Sequence, residues 1–186
     1  RTACGVMVFL AVFWVAHAGL AATGIPGATD KVQAATLLVP FFEVGVNSST
    51  HSQDTLLVLW AVNSSGPTIH YHVWDIDGNA VALYGTVELE NTEAWAASMR
   101  TLIDSASSGV KTALTDPDSS GNYYRGFVTI DVVTESTTLN PLESGYPLGT
   151  DNDLEGYIYY TRLSQGSCNG MTMVPIEEVG SSLNSH

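Results

Sequence analysis

The sequence predicts an all-β protein: a single β-sandwich, immunoglobulin-like in broad architecture, with about seven strands and at most one short helix. Short segments rich in Val, Ile, Leu, Phe, Tyr and Trp recur along the 186 residues, each bounded by Gly, Pro, Asn and Ser. Only one stretch carries helical spacing. The length is that of about one domain, against a soft prior of ~100–200 residues.

The elements follow in chain order. Residues 1–18 (RTACGVMVFLAVFWVAHA) hold an unbroken apolar run from Val6 to Ala16, then the small-x-small triplet Ala16-His17-Ala18. That combination predicts a cleaved secretory signal peptide. The run is short for a membrane span of ~20 residues, so no stable insertion is expected after cleavage. Residues 19–33 read as a flexible Gly/Ala/Thr-rich lead-in, and residues 34–180 as the β-sandwich domain. Residues 181–186 read as a polar tail and a possible truncation point. Within the domain, Ala35–Val46 is an apolar strand in which Pro40 forecasts a sheet edge or a bulge. Thr55–Asn63 is a near-continuous apolar strand. Thr68–Asp75 alternates, with Ile69, Tyr71 and Val73 on one face and His70, His72 and Trp74 on the other. Asp77-Gly78-Asn79 is a hairpin-type turn, and Ala80–Leu89 the returning strand. Asn91–Asp104 is the helical candidate: Asn91 or Thr92 can cap it, and Trp95, Met99 and Leu102 fall at i, i+4 and i+7. Residues 105–122 read as a long loop, Gly126–Thr134 as a strand, 135–153 as a second long loop. Gly156–Leu163 and Met171–Ile176 complete the count of strands.

Composition narrows the function classes. The chain is 45% hydrophobic and only 13% charged, with 6 Lys+Arg against 19 Asp+Glu and a net charge of −13. Loss of Arg1 with a signal peptide would leave 5 basic against 19 acidic residues, a net charge of −14. So few basic residues exclude phosphate-driven nucleic-acid binding, and the N-terminal signal peptide predicts a secreted, periplasmic or cell-surface location. Cys4 would leave with the signal, so Cys168 could form no internal bridge in the mature chain.

The segments ATLLVPFFEVGV, RGFVTIDVV, LEGYIYYTRL and MTMVPIEEV resemble a group of uncharacterised secreted bacterial proteins, in order across residues 34–179. The group pairs an LLVPYFEV-like first strand with a GYVTVDVV-like segment. The shared segments are apolar and strand-like, so the resemblance implies a fold and no activity. It also implies a chain that continues past the IEEV-like segment.

Several constellations could carry chemistry. His70 and His72 share a strand face, a start for a Zn, Fe or Mn site, and with Asp77 they resemble the first motif of cupins, which carries Glu at the acidic position. Cupins add a histidine from a later strand, and after His72 this chain has only His186. A site would need a ligand such as His51 or a loop carboxylate. Asp116, Asp118 and Ser120 match the start of a D-x-D-x-S-G calcium loop, and Asp151-Asn-Asp153-Leu-Glu155-Gly156 is a similar string. The bidentate Glu that a calcium loop of the EF type places twelfth is Phe127 in the first and Arg162 in the second. No cofactor is expected beyond possible calcium. Asp131 interrupts an apolar run, and alternation places it on an outward, solvated face. Tyr157, Tyr159 and Thr161 share a face from which rings could stack on a sugar. No G-x-S-x-G elbow or phosphate-binding Gly loop is present. The expected function is an exported structural or binding module with a protein or glycan partner, more a binder than an enzyme. The alternatives are a cupin-like metal-dependent enzyme using His70, His72 and Asp77, and a calcium-stabilised carbohydrate-binding or adhesion module.

Overall fold

Two antiparallel sheets face each other across one apolar core. The computed structural model describes residues 33–46, 51–62, 66–90, 94–162 and 166–176. Residues 1–18, all of the lead-in but Gln33, and residues 181–186 lie outside the described residues. The order is β1 (Thr36–Gly45), β2 (Gln53–Ala61), β3 (Thr68–Trp74), β4 (Ala80–Glu88), β5 (Ala94–Ser98), α1 (Met99–Asp104), α2 (Ser108–Ala113), β6 (Tyr123–Val133), β7 (Leu154–Arg162), β8 (Ser167–Thr172) and β9 (Val174–Ile176). The first sheet runs β4-β3-β6-β1-β9 and the second β5-β2-β7-β8. β1 lies beside β6 in one sheet and β2 beside β7 in the other, as the B–E and C–F pairs do in an immunoglobulin-type sandwich.

Alternation explains how each strand feeds the core. Leu57 and Leu59 on β2, Ile69 and Val73 on β3, Val128 and Ile130 on β6, and Ile158 on β7 are all fully buried. β1 would break this pattern, because Leu37 and Val39 point inward and so do Phe42 and Val44. A bulge resolves the conflict: the register with β6 shifts between Val39↔Val128 and Phe42↔Gly126. The extra residue at Pro40–Phe41 resets the parity, keeps Phe42 inside and turns Glu43 out to Arg125 (2.6 Å). Pro40 therefore marks a bulge on an interior strand, not an edge. Gly126 opposite the bulge is required: a Cβ there would strike the Trp74 carbonyl and the Phe42 ring.

The helical candidate is corrected. Residues 94–98 form a strand, and the helix begins only after Ser98, which caps it by accepting from the Thr101 N–H at 3.1 Å. Pairing with β2 (Leu59↔Trp95, Leu57↔Ala97) draws Trp95 inward, where it stacks on Tyr71 at 5.5 Å. Tertiary pairing thus overrides the helical stripe, of which Met99 and Leu102 alone lie on α1, joined there by buried Ile103. Asn91 and Thr92 lie outside the described residues. The loop expected at 105–122 contains α2, capped by Ser107. The last expected strand is two: β8 pairs with β7 and β9 with β1, and buried Met173 carries the chain from one sheet to the other.

Candidate functional site

The register of the first sheet builds two rows of side chains on its outer face. One runs Thr86, His70, Asp131, Thr36; the next runs Tyr84, His72, Thr129, Leu38. The segment after β6 folds back over this face. Thr134 N–H bonds the Pro147 carbonyl (2.8 Å), Leu148 bridges Val133, and Tyr146 comes to rest against the His70 ring at 5.7 Å, edge to face. The covered face is polar. Asp131 is only 3% exposed; it accepts from Thr36 Oγ1 (2.6 Å) and from the Tyr146 hydroxyl (2.7 Å). This corrects the solvated face expected for Asp131: alternation turns the residue away from the core, and the returning segment then buries it. Burial pushes the Asp131 carboxyl up, against the two hydrogen bonds, and burial beside Asp131 pushes the Tyr146 hydroxyl up as well.

His70 and His72 are fully or almost fully buried on the same face. Tyr84 lies against both, 5.8 Å from His70 and stacked parallel on His72 at 5.7 Å. His70 Nδ1 sits 3.3 Å from Thr86 Oγ1, and that hydroxyl gives its single proton to the Thr137 carbonyl at 3.4 Å. With Nδ1 turned to Thr86, Nε2 faces the other way. His70 Nε2 and both His72 nitrogens have no hydrogen-bond partner among the described residues. Burial, with repulsion from His70 added, pushes the His72 imidazole down to about 4, and burial lowers His70 too. Both are neutral at pH 7. An open cleft lined by Tyr84, Gly85, Thr86, Ser136, Thr137 and Thr138 adjoins the pair.

Asp77 does not join them. It sits exposed in the β3–β4 turn, where Asp75 organises the backbone by accepting from the Asp77 and Asn79 N–H groups (2.9 and 2.8 Å). The cupin-like triad of His70, His72 and Asp77 is thus not assembled, because the strand ends at Trp74 and the turn carries Asp77 off the sheet face. His51 is occupied elsewhere, stacked on Tyr123 at 4.2 Å and 2.8 Å from Asp118. Among the described residues no group of three or more His, Cys, Asp and Glu converges.

The Asp116–Ser120 loop closes on itself. Gly121 N–H donates to Asp116 Oδ2 (2.6 Å), Ser120 N–H to Asp118 Oδ1 (3.1 Å), and Asn122 N–H to Ser120 Oγ (3.1 Å). Ser120, with a contribution from His51, holds the Asp118 carboxyl down to about 2. The second acidic string is no loop: Leu154 already begins β7, Asp153 is buried, and Asn152 accepts from the Ala35 N–H (3.1 Å).

The outer face of the second sheet is different in character. Tyr157 and Tyr159 point outward because Ile158 fills the core, and Tyr160 turns inward with its hydroxyl on the Phe41 carbonyl (2.8 Å). Trp60 of β2 stacks on Tyr157 at 5.4 Å, and Tyr157 lies 6.4 Å from Tyr159. Leu56 and Val58 flank this row, and all five side chains keep part of their surface in solvent. The contribution of Trp60 escaped the sequence reading, since only the β2–β7 register brings it beside Tyr157. Cys168 is exposed on the edge strand β8.

No protein-family model, curated protein or solved structure matches the chain.

Proposed function

We propose that this protein is an exported binding module whose working surface is the outer face of the second sheet, and whose ligand is a glycan. The row Trp60, Tyr157, Tyr159 carries this reading. The three side chains form a continuous, part-exposed aromatic row on the sheet, an amphipathic apolar surface against which sugar C–H groups can pack. A sheet also holds these rings with little freedom left to lose on binding. Glu155, directly across from Trp60, and Thr161 add polar groups at the margins for sugar hydroxyls. The N-terminal apolar run and its Ala16-His17-Ala18 triplet support export to where glycans are met.

Affinity electrophoresis through a panel of soluble polysaccharides, with tryptophan fluorescence as a second readout, tests the reading. At least one polysaccharide should retard the protein and shift its emission. The double variant Trp60→Ala, Tyr157→Ala should lose both effects while keeping the wild-type circular dichroism spectrum. Failure of every polysaccharide to retard the wild type, or retention of binding in the folded double variant, overturns it.

A further inference from the structure

We propose that His70 and His72 form a two-histidine site for a divalent first-row transition-metal ion, with Zn2+ as its simplest occupant. The site lies on the opposite sheet from the aromatic row and stands independently of the glycan reading.

Buried polar atoms are nearly always hydrogen-bonded, so three bare ring nitrogens on two adjacent buried side chains need a partner. A neutral imidazole carries one ring proton and one lone pair, so His70 can turn a lone pair out at its unpartnered Nε2 with its proton on the Nδ1 side facing Thr86. His72, neutral in the same layer, can offer a second lone pair. Neutral imidazoles favour borderline-soft ions, whereas calcium and magnesium prefer oxygen. The Thr86 contact also orients the first ring, as a metal-bound histidine is commonly held by its second nitrogen.

The separation fits. The ring centres lie 6.1 Å apart with planes tilted by 30°. Two imidazoles sharing one ion through bonds of ~2.0–2.1 Å have centres about 5–6 Å apart, so a small rotation of either ring closes the difference. Among the described residues no third His, Cys, Asp or Glu joins the pair. The remaining positions therefore fall to water, which the cleft lined by Tyr84 and Thr86, the residues touching the two rings, can supply. Asp131 and Tyr146 bond each other instead of facing the ion.

Metal-stripped full-length protein titrated with ZnCl2 tests this, read by ring-nitrogen NMR and by thermal melting. One equivalent of Zn2+ should shift the ring resonances of His70 and His72, leave those of His51 and His186 in place, and raise the melting temperature. His72→Gln should weaken Zn2+ binding at least tenfold, and His51→Ala should leave it unchanged. If His72→Gln fails to fold, the wild-type resonances still decide. No shift at His70 and His72, or shifts confined to the other histidines, overturns the proposal and assigns the bare nitrogens to water.

Discussion

Asp131 and His72 show how much one buried polar group can do. The Asp131 carboxylate rests on two hydroxyl donors, and the Tyr146 bond ties the returning segment to the sheet. Tyr146→Phe removes one donor and leaves a buried acceptor under-satisfied. A loss of about 1–3 kcal/mol in urea unfolding is expected, and with it faster amide exchange along residues 134–150. His72 sets a pH dependence. Its folded value of about 4 lies below the unfolded value near 6.5. The unfolded chain therefore binds the extra proton first. Its contribution is complete above pH 6.5 and is lost as the pH falls towards 4. From pH 7 to 5 the loss is on the order of 2 kcal/mol. Asp131 has the opposite sign: its raised value favours the folded state at low pH, and that contribution fades as pH rises through the folded value. Metal-free His72→Phe should melt with a smaller drop between pH 7 and 5 than the wild type. Equal drops would remove His72 as the cause.

At the level of elements, the strand-to-helix switch at Ser98 is the most sensitive junction. Ser98 Oγ accepts from Thr101 N–H and donates to Asp54 Oδ2 (2.7 Å), while Asp54 Oδ1 receives the Arg100 N–H (3.0 Å). Ser98→Ala removes the cap and one bond to Asp54, so a loss somewhat above the ~1 kcal/mol of a simple cap is expected by chemical denaturation. The same junction marks where sequence reading stops. Strong alternation made β3 legible, and with it the shared face of His70, His72 and Trp74. An apolar run bounded by turns did the same for β2. Ala94–Ser98 has neither signal: it is a strand only because β2 offers it a partner. The polar layer was half legible for a related reason. Alternation put His70 and His72 together, but the cover comes from Tyr146, 15 residues beyond Asp131 through a Pro/Gly-rich segment whose path no local pattern encodes. Pro40 was legible as an irregularity, and only the parity of Phe42 and Val44 decides that it is a bulge.

For the molecule as a whole, the sandwich depends on how its two sheets are joined at the edge where β8 gives way to β9. Met173 is buried there, its N–H bonds the Gly156 carbonyl (2.9 Å), and its side chain lies where a Cβ on Gly156 would go. Met173→Ala should cost about 2–5 kcal/mol, as large-to-small changes in a core do, and Gly156→Ala should be destabilising through the same contact. A variant of either kind that melts with the wild type would show that the edge is dispensable. The crossing also dictates an order of events in time. Among the described elements each sheet takes its last strand in chain order from the same ten residues, 167–176, so neither is complete until that segment has been made. Until then both sheets stand open along one side, and the sandwich shuts only when β8 and β9 arrive.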